Sequence, residues 1–299
     1  MAPARILGIP TTGSEARLQS RTNAWNTPTC GIAPGYLQAN LIVLPSRYAK
    51  EFTVLCARNP VPCPLLASSE RPGDFSSFIS HVPGVPNSKI ARGIDIRTDA
   101  PRYNVYIDGK LTEHGVTSIE EQWDEDHVAF LIGCSYSFEN ALTLAGLPPP
   151  HLLHGRNVPM YRTKIPLCPA GVFTGSTYVV SMRMYRTSEV DKVRDITWPY
   201  ITTHGEPIAW GWDGMKALGL TDAREPDWGD APVTADGSEV VQCTEEAKDD
   251  GFVPVFWGSG VTAQEAVMRA EIPGVVMGHA PGYMVVLDVK EEDVLGKHT

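Results

Sequence analysis

Two stretches of this chain place a reactive heteroatom at the same point of the same local design. Val128 to Leu142 reads as an apolar strand, a tight Gly133-Cys134-Ser135 turn, and a helix with Phe138, Ala141, Leu142 and Ala145 on its inner side; Gly146 marks the end. Val253 to Val267 repeats the plan, with Ser259 in the place of Cys134 and with Thr262 and Glu265 spaced as a capping box. Unpaired backbone N–H groups and partial positive charge at a helix start stabilise an anion. Such a turn can hold a carboxylate, and a thiol within it can be drawn toward the thiolate. The plainer alternatives are that Cys134 is a small packing residue and Ser259 a helix-opening hydroxyl.

Chemistry on a carboxylate needs a cation to hold it and groups to move protons. Arginine grips a carboxylate through two parallel hydrogen bonds, and Arg97, Arg102, Arg156, Arg162 and Arg183 are the candidates. Each could equally sit in a salt bridge, with Asp95 and Asp99 as evident partners for the first two. His279, between Val275–Met277 and Pro281-Gly282, stands where a strand-end acid or base is expected, with a structural histidine as the equal alternative; His204 makes a weaker case. Glu139 is a further proton-exchange candidate. Cys63, stiffened by Pro60, Pro62 and Pro64, is the second thiol, with packing as its other reading. His151 and His154 follow three prolines without a carboxylate nearby in sequence, so no metal site is expected. No Walker A loop, GxGxxG, GxSxG or HExxH pattern occurs, and no cofactor is expected.

The elements that must position these groups follow from periodicity and punctuation. Residues 1–31 are expected to wrap the surface without regular structure, and Leu37 to Leu44 reads as a strand. Pro45-Ser46 opens a helix facing inward through Ala49, Phe52 and Cys56, and Asn59-Pro60 stops it. Arg71 to Arg92 reads as a long loop, Asp95 to Val105 as a strand, and Asp108-Gly109 as a hairpin turn. Thr117 and Ser118 before Glu120 and Glu121 predict a short acidic helix. Tyr178 to Tyr185 alternates, with Val180, Met182 and Met184 predicted toward the core and Ser181, Arg183 and Tyr185 toward water or ligand. Asp222 to Asp250, acidic and poor in large apolar residues, is the predicted insertion or flexible excursion.

Bulk properties exclude several function classes. A net charge of -10 over 299 residues, with scattered arginines, opposes a nucleic-acid partner. No apolar run approaches the roughly 20 residues that span a bilayer, so no membrane association is expected. The six cysteines form no CxxC pair or disulfide framework and read as free thiols. The expected location is cytoplasmic, with Arg5, Arg17 and Arg21 leaving a mitochondrial presequence open. Expected partners are a small carboxylate or amino-acid substrate, with a homodimer also open.

Six strings in order, Gly31–Leu41, Arg58–Leu66, Ile94–Asp99, Gly133–Glu139, Arg156–Arg162 and Val180–Arg183, closely resemble the hydro-lyase family that includes the D-glutamate cyclases. The resemblance runs from about Arg21 to Val289. It implies a cofactor-independent enzyme of mixed α/β architecture with two related, interlocked subdomains, set here at 1–110 together with 235–299 and at 111–234. The implied activity is dehydrative closure of D-glutamate to 5-oxo-D-proline, with Gln38, Asn40, Ser135, Asn157 and Tyr161 joining the arginines as expected substrate contacts. Ser259, Tyr283 and Ala209 depart from the family pattern. A member acting on another carboxylate, or a binding protein without turnover, therefore stay as alternatives.

Overall fold

The computed structural model describes residues 8–240 and 251–295. The first half contains α1 (Gly13–Arg21), β1 (Tyr36–Pro45), α2 (Ala49–Arg58), β2 (Leu65–Ser69), β3 (Phe78–Ser80), α3 (Asn87–Ile90), β4 (Tyr103–Ile107), β5 (Lys110–Val116), β6 (His127–Gly133) and α4 (Glu139–Leu144). There follow α5 (Pro150–Leu153), β7 (Met160–Pro166), β8 (Thr177–Arg186), α6 (Val190–Thr197), β9 (Ala209–Trp210) and α7 (Gly211–Ala217). The chain then adds β10 (Phe252–Gly258), α8 (Val261–Arg269), β11 (Val275–His279), β12 (Val285–Lys290) and α9 (Glu291–Val294). Helices and sheets mix throughout, as expected of a mixed α/β chain. No helix among the described residues is long and apolar enough to cross a membrane.

Eight strands form one sheet in the order β3-β2-β6-β1-β11-β4-β5, with β12 also pairing β1; the other sheet is β7-β8-β10-β9. Every pairing between these strands is antiparallel. The rule that puts ligands at the carboxyl ends of parallel strands therefore does not carry the site, and its location rests on side chains alone.

The two-residue period of β1 explains how the centre of the larger sheet reaches the chemistry. Leu37, Ala39, Leu41 and Val43 join one apolar core, while Ile42 and Leu44 join another on the opposite face. Gln38 and Asn40 share the parity of Ile42 and Leu44, and both are buried. Neighbouring β6 obeys the same rule, with Val128, Phe130 and Ile132 in the second core and Ala129 and Leu131 in the first. Continuing that parity puts Cys134 on the side of Gln38 and Asn40.

Several sequence expectations are met. The run 37–44 is a strand, the helix opened at Ser46 ends at Asn59, and Ile107 faces Lys110 across the Asp108-Gly109 turn. Both turn residues have positive φ, 49° and 75°, as a tight hairpin of this type requires.

Four expectations are corrected. Residues before 31 include α1, whose Thr12 accepts the Glu15 N–H while the Glu15 carboxylate accepts from Thr11. Gly13 lets that helix approach β12, because a Cβ there would fall 2.0 Å from the Leu287 carbonyl oxygen. Asp95 to Val105 is a strand only from Tyr103, because Asp99 accepts the Asp95 N–H and Asp95 accepts from Arg97, closing a turn instead. The acidic helix is absent: the Ser118 hydroxyl takes the Glu120 N–H in a local turn. Finally, Ser181, Arg183 and Tyr185 are as buried as Val180, Met182 and Met184, so the second face of β8 is dry rather than wet.

The stretch 71–92 is largely irregular, interrupted by β3 and α3. Of the acidic stretch 222–250, residues 241–250 lie outside the described residues. The remainder is tied to the β7 region, where Asp227 meets Arg162 and Asp230 accepts the Asn157 N–H at 2.7 Å.

Candidate active site

The Cys134 turn is fixed through one carbonyl. Asn40 Nδ2 donates to the Gly133 carbonyl at 2.8 Å, and His204 Nε2 approaches the same oxygen at 2.6 Å. The other ring nitrogen of His204 lies 2.8 Å from the Val61 carbonyl; the neutral ring carries one N–H, so it donates to one of these two carbonyls and packs against the other. Burial pushes His204 down to about 4, with the two carbonyls pulling the other way. Nothing local in the sequence around His204 reveals that its ring reaches residues 143 and 71 positions away.

The Ser259 turn meets the Cys134 turn across a cavity of about 20 Å³, lined by Asn40, Cys134, Ser135, Ser259 and Gly260 among others. Gly260 is needed for this approach, because a Cβ there would lie 1.9 Å from Asn40 Nδ2. The Ser259 N–H donates to the Val179 carbonyl, and its hydroxyl lies 3.4 Å from Met160 Sδ. The predicted capping box is not formed. Thr262 instead accepts the Val179 N–H and donates to the Val179 carbonyl, while Glu265 pairs with Arg162 at 2.9 Å.

The expected thiolate is also corrected. The Cys134 turn leads into a single 3-10 turn, Ser135–Phe138, and then a helix of only six residues, so little dipole acts on the sulfur. Burial dominates and pushes the thiol up to about 12, which keeps it protonated at neutral pH.

Behind this cavity runs a buried charged chain. Arg183 donates from Nε to Glu139 Oε1 at 3.1 Å, from Nη1 to the Ser181 hydroxyl at 2.9 Å and from Nη2 to the Ser135 hydroxyl at 3.0 Å. Its guanidinium lies 5.2 Å from the ring centres of both Phe138 and Trp257, a cation–π setting. His151 Nε2 stands 3.1 Å from Glu139 Oε1, off the line of a hydrogen bond, and its ring stacks on Tyr136. Burial alone would raise the Glu139 carboxyl, but His151 and Arg183 outweigh it and hold the group below its ordinary value. The pair thus remains ionic inside the protein, with Ser135 joining it to the cavity wall.

A larger cavity of about 440 Å³ adjoins, lined by Cys30, Gln38, Tyr136, Ser137, Glu139 and Asn140 together with apolar groups such as Trp25 and Leu152. Tyr136 lines both cavities, and its hydroxyl donates to Asn157 Oδ1 at 2.6 Å. Cys30 was not among the sequence candidates; burial, then the Glu139 charge, pushes its thiol up to about 12.

The other sequence candidates lie elsewhere. Arg162 is partly exposed and paired with Asp227 and Glu265. Arg97 is paired with Asp95, Arg102 donates to Asn23 and its neighbour's carbonyl, and Arg156 donates to the Ala231 carbonyl. Tyr161 is buried and donates to the Ala223 carbonyl. Cys63 is fully buried in the apolar cluster of Phe52, Cys56 and Phe130, and burial raises its thiol well above the ordinary value. His279 lines a separate cavity of about 20 Å³ with Gln264 and Tyr106, and its Nδ1 accepts the Leu41 N–H at 3.0 Å. No three His, Cys, Asp or Glu side chains gather as a metal-binding set among the described residues.

Comparison with known proteins puts this geometry in context. The sequence profile of the D-glutamate cyclase family matches residues 128–288, which span Cys134, Glu139, Arg183 and Ser259. A Schizosaccharomyces pombe protein named "putative hydro-lyase" is 44% identical over 277 residues, covering 92% of this chain and 83% of that protein. Proteins of the same name from Geobacillus kaustophilus and a Jannaschia species are 41% and 42% identical. These cover 95% and 96% of this chain, and 97% of each relative.

Proposed function

Because the chain belongs to the D-glutamate cyclase family, we propose that it is a hydro-lyase of a small amino acid, with D-glutamate to 5-oxo-D-proline plus water as its reaction. The observation that carries this reading is the meeting of the Cys134–Ser135 and Ser259–Gly260 turns with Asn40 around one cavity, backed by the ionic Arg183–Glu139 pair.

The reaction forms a bond from the amine nitrogen to the distant carboxyl carbon and breaks a carbon–oxygen bond there. The two protons that the ammonium loses leave on the departing oxygen as water, so no net proton is exchanged with solvent. The hydroxyl of Ser135 supplies a donor for the carboxyl being polarised, on a wall that Asn40 holds through the Gly133 carbonyl and Ser259 closes from the other side. Cys134, protonated at neutral pH, serves as proton donor to the departing oxygen rather than as a nucleophile. Glu139, held ionised, is the carboxylate placed to pair with the ammonium and take up its proton in passing, although its lowered pKa makes it a weak base; the separate cavity of His279 favours Glu139 over that histidine. Arg183 is a positioning residue: four of its five N–H donors go to Ser135, Ser181 and Glu139.

Of the three departures from the family pattern, only Ser259 lines the inner cavity, while Ala209 and Tyr283 do not. This favours D-glutamate over a changed carboxylate. The test is incubation with D-glutamate and, separately, L-glutamate, followed by proton NMR and chiral chromatography. The expected result is 5-oxo-D-proline from the D enantiomer; no product from D-glutamate, with turnover of another carboxylate, would select the diverged reading. Ligand-induced stabilisation without any turnover would select a binding protein.

A further inference from the structure

We propose that the 440 Å³ cavity is a subsite for a protonated primary amine, received by Gln38 Oε1 and Glu139 Oε2. Both residues line the cavity, both are 2% exposed, and neither of these two oxygens has a donor among the described residues. Each orientation is set from behind. Gln38 Nε2 donates to the Thr29 carbonyl at 2.9 Å, which fixes the amide and leaves its oxygen as the free end. Glu139 Oε1 is taken by Arg183, which leaves Oε2. The Gln38 N–H donates to the Ser137 hydroxyl at 3.0 Å, tying β1 to the turn that leads into Glu139, so the two acceptors belong to one stitched unit.

A buried acceptor without a donor carries an energetic penalty that a ligand donor removes. Two of them, one a carboxylate oxygen, call for a ligand rich in N–H donors and positively charged. No Arg, Lys or His is among the described residues lining this cavity, so a carboxylate has no cation to meet among them. The walls of Trp25, Ile32 and Leu152 suit a short aliphatic chain behind the ammonium. The assignment rests on the amino-acid lyase reading in one respect: it puts the substrate's amine in the larger cavity and its reacting carboxyl at the turns, on either side of Tyr136, which lines both.

The test needs no turnover. n-Propylammonium chloride is titrated against the full chain by calorimetry and saturation-transfer NMR at pH 7.5 and constant ionic strength, with 1-propanol and sodium propionate as neutral and anionic counterparts. Propylammonium is expected to bind at least about tenfold more tightly than propanol and to resist competition by propionate. Gln38→Leu and Glu139→Gln are each expected to weaken it about fivefold or more, as loss of a hydrogen bond implies. Equal binding of amine and alcohol, or undiminished amine binding in a folded Gln38→Leu protein, would overturn the subsite. Should either variant fail to fold, the comparison of ligands on the unaltered protein decides alone. Selective amine binding without conversion of D-glutamate would retain the subsite and refute the lyase reading; conversion without selective amine binding would do the reverse.

Discussion

The two strand–turn–helix units look alike in sequence but are built differently. The Cys134 unit opens into a 3-10 turn and a six-residue helix whose first residue, Glu139, is buried against Arg183. The Ser259 unit opens into a nine-residue helix whose Glu265 meets the partly exposed Arg162. Similar strand–turn–helix patterns thus serve two ends: one unit carries buried charge to the cavity, and the other closes the wall opposite. An ion pair inside the protein and one at its rim also differ in energetic weight, which gives the contrast measurable consequences.

The largest consequence concerns the buried pair. Arg183→Met strands Glu139 without its cation and is expected to destabilise the fold by about 3–5 kcal/mol in urea titration. A cost below about 1 kcal/mol would mean that the two units are energetically alike. Next comes thiol reactivity. Since only the thiolate reacts and burial holds Cys134 protonated up to about 12, iodoacetamide at pH 8 should label exposed Cys168 on the order of a hundredfold faster, read by peptide mass spectrometry. Faster labelling of Cys134 would restore the activated thiolate that the turn first suggested.

A third consequence lies behind the Ser259 unit, where Gln264 of α8 reaches His279 at 3.0 Å. The folded value of His279, about 4, is below the ordinary 6.5, because burial penalises the charged ring. Its stabilising contribution is therefore complete above 6.5 and is lost as pH falls through 4; protonation also ends the acceptance of the Leu41 N–H. His279→Gln should flatten the acid side of the stability profile between pH 6.5 and 4 by roughly 2–3 kcal/mol, measured by denaturant titration at each pH. An unchanged profile would remove His279 from the account. The smallest effect is at the rim, where Arg162→Met should cost under about 1 kcal/mol, its charge being partly exposed and screened.

What the sequence made legible was local. The apolar runs of β1 and β6, the alternation of β8 and the Asp108-Gly109 hairpin each follow from a period or a turn pair that neighbours do not disturb. Helix α1 was missed, because its polar composition shows no apolar period; its buried Arg17 finds Asp288 across 271 positions. Ser118 and Glu120 show the converse, a capping pattern spent on a turn. At the site, Cys134 and Ser259 could be paired by their turns. The contact of Arg183 with Glu139 spans 44 positions, however, and the exclusion of water that raises the thiol is a property of the packed molecule. Sequence could name these groups but not their protonation.

The claim that the Cys134 unit performs the chemistry while the Ser259 unit shapes the wall is tested most directly by steady-state turnover of D-glutamate in Cys134→Ala and Ser259→Ala proteins, each checked for an unaltered melting curve. The expected result is a fall in kcat of about a hundredfold or more for Cys134→Ala, the scale of a lost proton donor, and less than about tenfold for Ser259→Ala. Near-normal kcat in a folded Cys134→Ala protein would contradict it.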